Sequence, residues 1–411
     1  MTAELVVLVG AGMLLFVASV SGRLDRVWLT EPLVATALGV IVGLTLVDLE
    51  LESPLILILL ELTLALVLFS DASRIDVGHL RDGYEWPLRM LLIGLPVAVA
   101  MGTLVSGWYL SLPFGLALLL GVVLAPTDAA LAEPILESDS VPERVRQTLN
   151  VESGLNDGLA LPFLLIAIGV IDAEEGQSVG DAIWLVITQL GIGIVGGVVL
   201  GWVGAKLIGK GAETGWMNPL HQRVAAVALA LSGFAAVQLL GGSGFVATFI
   251  AGGLMSHLLR PRPERVYQFA EAEGHALVLL AFFVVGAGPG AELLRRGAPT
   301  QAVVIAVVSL FLLRPISIWL SLLGQRLQWQ TVVFLGWFGP RGLATVVFVL
   351  VALEELGTID PLVLDTLSVV VLASIALHGL SAVPMSRWLG RIDMAKDMPE
   401  MGEAFRHPTR R

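Results

Sequence analysis

Ala125-Pro126-Thr127-Asp128 breaks an apolar run that extends from Phe114 to Leu124. A little further on, Asn150-Val151-Glu152-Ser153-Gly154-Leu155-Asn156-Asp157 sets acidic and amide side chains in a second apolar run. In lipid a charged side chain at the centre of a helix costs on the order of 2.5–3.5 kcal/mol, so charges there are rare and mark working positions. Pro126 removes a backbone hydrogen bond that hydrocarbon cannot replace. Together the two stretches predict a shared polar site, held at mid-membrane by the rest of the chain and opened to each side in turn.

Composition sets the frame for that reading. Of 411 residues, 56% are hydrophobic and only 14% charged, against roughly 25% charged in ordinary soluble domains. The chain therefore reads as an all-α polytopic membrane protein. It has no cysteine, which excludes a disulfide framework and thiol chemistry. A net charge of -11 without a basic stripe argues against nucleic acid as a partner. The opening residues, Met1-Thr2-Ala3-Glu4, are acidic, which predicts a retained first span rather than a signal peptide.

A span needs about 20 mostly apolar residues, and about thirteen segments qualify. They lie near 4–22, 30–48, 53–71, 87–109, 113–136, 148–171, 180–208, 223–241, 244–259, 269–290, 299–324, 331–353 and 362–386. Loops after odd-numbered segments carry Arg23, Arg26, Arg74, Arg81, Arg144, Arg146, Lys206, Lys210, Arg260, Arg262, Arg265 and Arg326. The tail adds Arg387, Arg391, Lys396, Arg406, Arg410 and Arg411. The other loops offer Arg295 and Arg296, and several are acidic (Asp172, Glu174, Glu175; Glu354, Glu355, Asp360). This alternation predicts a cytoplasmic C-terminus and an external N-terminus.

A pseudo-repeat follows from the same numbering. Of the spans before and after the seventh, the fifth in each set is interrupted, by Pro126-Thr127-Asp128 and by Gly339-Pro340-Arg341-Gly342. The two run in opposite directions. Interrupted segments at matching positions of two halves point to a transporter's midplane site. A broken helix exposes carbonyls at one half-end and amides at the other, so Asp128 can offset the positive ends and Arg341 the negative ones. The alternative is a simple proline kink in each helix, at Pro126 and Pro340, with each charge facing its own loop.

Ser153, Asn156 and Asp157 follow the i, i+3, i+4 spacing of one helical face. Gly154 and Gly158 form a small-xxx-small pattern that admits a close neighbour and would deliver a carboxylate to the first break. Asp157, the Ser153 hydroxyl, Thr127 and a water supply most of the hard oxygens that a dehydrated monovalent cation needs. Proton and cation would then compete for the same carboxylate, which is sufficient for antiport. The bland alternative is an Asp157 satisfied by Asn156 in a packed bundle. Arg314 in Leu313-Arg314-Pro315 requires a partner at mid-span, and Glu152 fits, either as a structural brace or as a proton carrier. Asp71 either approaches the site or sits at a helix end, and Glu61 is a weaker candidate. The histidines (79, 221, 257, 275, 378 and 407) lack metal-ligand spacing and read as loop or packing residues.

At these residues the chain resembles the monovalent cation/proton antiporters of the NhaP and NHE type. The resemblance rests on Pro126-Thr127-Asp128, Glu152-Ser153 with Asn156-Asp157, Gly242-Ser243-Gly244-Phe245, Arg314-Pro315 and Gly339-Pro340-Arg341-Gly342, in order through most of the chain. It implies two inverted six-helix repeats with two crossed discontinuous helices, and a homodimer in the cell membrane. Within 1–390 it implies a core domain (spans near 53–171 and 269–353) and a dimerisation domain from the remaining spans. Residues 391–411 would form a cytoplasmic tail, too short for a regulatory domain. It further implies that Asp157 carries ion and proton, with Thr127, Asp128, Ser153, Asn156 and Asp71 contributing and Glu152, Arg314, Arg341, Pro126 and Pro340 in support. The expected activity is electroneutral exchange of Na⁺, or of Li⁺ or K⁺, for H⁺, without a cofactor. The Asn-Asp pair looks like the electroneutral branch. A potassium/proton antiporter or potassium-efflux protein is the alternative, and an intramembrane aspartyl protease using Asp128 and Asp157 a more distant one.

Overall fold

The computed structural model describes residues 3–27, 29–46, 53–74, 85–259 and 264–393, and every regular element among them is helical. His79, Arg81, His407 and the tail beyond 393 lie outside the described residues. The helices are α1 (Ala3–Val27), α2 (Glu31–Thr45), α3 (Pro54–Arg74), α4 (Glu85–Leu110), α5 (Phe114–Val123), α6 (Ala129–Leu136) and α7 (Glu143–Glu174). The chain continues with α8 (Val179–Glu213), α9 (Pro219–Leu239), α10 (Gly244–Leu258) and α11, which runs as Glu264–Val285 and on through Gly286–Gly290 and Ala291–Arg296. It ends with α12 (Thr300–Ser321), α13 (Trp329–Trp337), α14 (Leu343–Leu356) and α15 (Pro361–Asp393).

Among the described residues, 8 helices are long and apolar enough to cross a membrane. The protein is therefore a multi-pass membrane protein. The segments expected near 113–136 and 331–353 are each divided, into α5 and α6 and into α13 and α14. Elsewhere helix continues past the apolar runs: α7 starts at Glu143 and α8 extends to Glu213. Hydropathy marks where lipid is, whereas a helix ends only where its backbone finds other partners.

Prolines leave a second mark. A π-helical turn occurs at Met90–Gly94 just before Pro96, at Gly286–Gly290 around Pro289, and at Ser309–Leu313 just before Pro315. A proline inside a helix lacks an N–H and crowds the carbonyl four residues back. Widening one turn relieves that clash and keeps the helix continuous, which lipid requires.

Packing sorts the helices into two groups. α8 lies along α10, which also packs on α3 and α9, while α11 packs on α2, α3 and α9. The second group joins α4 to α5, α5 and α6 to α7, α12 to α13 and α4, and α15 to α6 and α12. This grouping puts α3 and α11 with α8–α10, and α15 with α4–α7 and α12. Contacts of α7 with α8, and of α3 with α7 and α14, join the two bundles, and the polar residues of interest lie beside the α3 contacts.

Candidate functional site

The two interruptions cross and bond to each other. Asp128 is the N-cap of α6, and its Oδ1 accepts from Ala130 N at 2.8 Å and Leu131 N at 3.4 Å. Its Oδ2 accepts from Leu343 N at 2.7 Å, the first residue of α14. One carboxylate thus faces the exposed amides of two half-helices. Arg341 does the converse. Its Nε donates to Leu124 O at 2.9 Å, at the end of α5, and its Nη1 donates to Gly339 O just past the end of α13. Asp128 N donates to Pro340 O at 2.7 Å and Thr345 Oγ1 to Val123 O at 3.0 Å, which tie the breaks together. Opposite charges therefore sit against opposite helix ends, the arrangement the macrodipoles favour. Gly342 is needed there because a Cβ would overlap the Asp128 carboxylate.

The helix α7 presents its polar face to the first break. Arg314 Nη1 and Nη2 donate to Glu152 Oε1 and Oε2 at 2.6 and 2.9 Å, a bidentate pair with both side chains buried. Asn156 Nδ2 donates to Glu152 Oε1 at 3.0 Å and to Thr127 Oγ1 at 3.2 Å. The Thr127 hydroxyl lies 3.3 Å from both Glu152 Oε2 and Ser153 Oγ, and its single proton serves one of them at a time. Thr127, Glu152, Ser153, Asn156 and Arg314 form one connected network.

Asp157 stands outside it. Its side chain is buried, and its Oδ1 has no hydrogen-bond partner. The bland alternative, in which Asn156 satisfies it, does not hold, because the Asn156 amide points to Glu152 and Thr127. Asp128, Asp71 and Glu152 are close enough to act on Asp157 electrostatically. Fully buried at the site are the carboxylates of Asp128, Glu152 and Asp157 and the guanidiniums of Arg314 and Arg341. Three against two leaves a formal charge of 3 − 2, one negative unit, when all are ionised.

Several expectations need correction. Gly154 and Gly158 do not seat the broken helix. A Cβ on Gly154 would meet Asp71 Cβ at 3.3 Å, and one on Gly158 would overlap the Phe249 ring, so the neighbours admitted are α3 and α10. The small surface was legible, but which helix fills it depends on the whole packing. Asp71 is thereby brought against α7 one residue from Ser153. Glu61 interacts instead with Glu354 of α14. His275 Nε2 lies 2.7 Å from Glu31 Oε2 and its Nδ1 3.6 Å from Glu133 Oε2, so it joins α11 to α2 and α6 as well as packing. His378 is buried in α15 against the second break, a position its sequence context did not disclose.

Two interrupted helices that meet at a buried cluster of acids and arginines in an all-helical membrane fold are the arrangement that points to a transporter's midplane site. Residues 12–388 match the family model described as "Sodium/hydrogen exchanger, transmembrane", and the chain belongs to that family. It is 25% identical over 340 residues to the K(+)/H(+) antiporter NhaP of Alkalimonas amylolytica, covering 82% of this chain. The chain spans 58% of that relative's length. It is 26% identical over 374 residues to the Na(+)/H(+) antiporter ApNhaP of Aphanothece halophytica, covering 87% of this chain and 70% of that one. In fold it matches the sodium proton antiporter MjNhaP1 of Methanocaldococcus jannaschii at pH 8, with a TM-score of 0.75, 20% identity and coverage of 95% of this chain and 100% of the other.

Proposed function

We propose that the chain exchanges a monovalent cation for a proton across the cell membrane, one for one, with Asp157 as the shared carrier. The observation that carries this reading is the buried Asp157 Oδ1 without a hydrogen-bond partner, in a site whose buried carboxylates outnumber its buried guanidiniums by one. A buried charge without compensation is costly. One proton or one monovalent cation neutralises it equally, and both cannot hold the same oxygens. Thr127 and Ser153 add hydroxyl oxygens, Asp71 approaches from α3, and Asn156 fixes the Thr127 hydroxyl. Asp128, Arg341, Pro126 and Pro340 maintain the crossed breaks, and Glu152 with Arg314 braces α7 against α12. Asp128 stands close to the cation rather than ligating it alone, since both its oxygens already accept backbone amides.

Na⁺ is the preferred cation, with Li⁺ also carried and K⁺ the alternative. The names of the Aphanothece and Alkalimonas relatives support the first and the last respectively. An aspartyl protease pairing Asp128 with Asp157 has less support, because the Asp128 carboxylate is engaged by three amides.

Alternating access follows if the bundle of α4–α7 and α12–α15 moves against the other. Breaks in the fifth span of each half, and π turns before a proline in the fourth (α4 and α12), support two inverted six-span repeats around a seventh. The first bundle would supply the homodimer contact, with the N-terminus outside and the C-terminus in the cytoplasm. The test is dequenching of an imposed pH gradient in proteoliposomes, with Na⁺, K⁺ and Li⁺ added separately. At least one should collapse the gradient; if none does, the exchange reading fails.

A further inference from the structure

In an unbroken α13–α14 helix, Arg341 N–H would donate to Trp337 O, four residues back. The interruption removes that bond; Arg341 is buried and Trp337 half-buried, and an unpaired donor or acceptor away from water is costly. Each finds its partner on α15. Arg341 N donates to Ser374 Oγ at 2.7 Å. Trp337 O lies 2.9 Å from His378 Nε2, besides accepting from Gly339 N at 2.8 Å. Ser374 and His378 are themselves one helical turn apart, with Ser374 Oγ 3.2 Å from His378 Nδ1.

One neutral tautomer completes the chain. Arg341 N–H donates to Ser374 Oγ, the Ser374 hydroxyl donates to His378 Nδ1, and His378 Nε2–H donates to Trp337 O. The opposite tautomer sends Nδ1–H to Ser374 O, 2.9 Å away in the same helix, and turns a bare nitrogen on Trp337 O. The next turn of α15 continues the stripe: Ser381 Oγ accepts from Trp337 Nε1 at 2.9 Å, and the Trp337 ring stacks on His378 with centroids 5.1 Å apart. Ser374, His378 and Ser381 thus follow the i, i+4, i+7 spacing of a single face.

We propose that Ser374 and His378 are inserted into the missing Arg341–Trp337 hydrogen bond as a template that keeps the second helix break open, which makes His378 a positioning residue for the ion site. The link to the site is short. The segment that the template holds contains Pro340, Arg341 and Gly342 and delivers Leu343 N to Asp128 and Arg341 Nε to Leu124 O. Without His378 the break can relax toward regular helix or toward disorder, and Asp128 loses its fixed amide in either case. As far as transport is concerned, this inference rests on the exchange reading above.

The variants are His378→Ala, His378→Gln and Ser374→Ala, with Ser381→Ala as a control that removes only the anchor of the indole ring. Gln keeps an N–H able to reach Trp337 O. In proteoliposomes, His378→Ala and Ser374→Ala should raise the half-saturating cation concentration about tenfold, as expected for one lost buried hydrogen bond acting on site geometry, with maximal rate changed less. His378→Gln should recover most of the affinity, and Ser381→Ala should stay close to wild type. Equal half-saturation in His378→Ala and wild type, or no recovery by Gln, overturns the proposal. Amide hydrogen exchange on peptides covering 336–345 provides a readout that does not require transport. Exchange should rise in His378→Ala and Ser374→Ala and fall back in His378→Gln, and an unchanged pattern overturns the template even where a wild-type protein that moves no cation has already sunk the exchange reading. If His378→Ala does not fold, the Ser374→Ala to Ser381→Ala comparison decides, and equal behaviour of the two counts against the template.

Discussion

At the scale of residues, two carboxylates little more than one turn apart on α7 have opposite surroundings. Glu152 accepts both guanidinium nitrogens of Arg314 and the Asn156 amide, whereas Asp157 has a buried oxygen with nothing attached. Asp157→Asn keeps the shape and removes the titratable charge, so it should abolish exchange while the protein still elutes as a folded species; full exchange in this variant would remove Asp157 as the carrier. Glu152→Gln leaves Arg314 buried without its counter-charge, a loss of roughly 3–5 kcal/mol when one member of a buried pair is removed. A brace should therefore show an unfolding temperature lowered more than cation affinity is. Lost transport at an unchanged unfolding temperature would instead make Glu152 a proton carrier.

At the scale of elements, the crossing depends on close approach at the breaks. A Cβ on Gly342 would overlap the Asp128 carboxylate, and one on Gly339 the Arg314 guanidinium. Gly342→Ala should destabilise by about 1–3 kcal/mol, the range for overpacking, and should weaken cation binding because Asp128 has to move off Leu343 N. Thermal unfolding together with half-saturation in proteoliposomes measures both, and a variant unchanged in both would mean that the breaks are not locked together. Both breaks were legible in the sequence, since a proline beside a charge in an apolar run is costly in lipid unless the helix opens there around a polar site. The opposite signs of Asp128 and Arg341 likewise disclosed which helix ends they face. The partners on α15 were not legible: Ser374 and His378 lie in an apolar segment with no local oddity, and only the crossing brings them to Arg341 and Trp337. The Gly154 and Gly158 pattern failed for a related reason, because small residues announce a contact without naming the helix that makes it.

At the scale of the whole molecule, the charge count constrains energetics. The buried site holds Asp128, Glu152 and Asp157 against Arg314 and Arg341, so a single cation or a single proton brings it to neutrality. If the second bundle carries the loaded site across in either form, the moving unit has the same net charge in both directions, and the membrane potential does no work on the cycle. A cycle that moved one net charge would gain about 2.3 kcal/mol per 100 mV, a factor of roughly fifty in the equilibrium. Exchange by proteoliposomes clamped with a K⁺–valinomycin gradient, and assayed with Na⁺ or Li⁺, should then run at the same rate and reach the same end point at zero and at about 100 mV of either sign. A rate that follows the voltage at an unchanged end point would mean that the loaded site crosses charged. An end point that follows the voltage would require a second transported proton, and Asp71, brought against Gly154 beside Ser153, would be the first residue to suspect. In that case Asp71→Asn should restore voltage independence, which separates a two-proton cycle from an error in the charge count of the buried cluster.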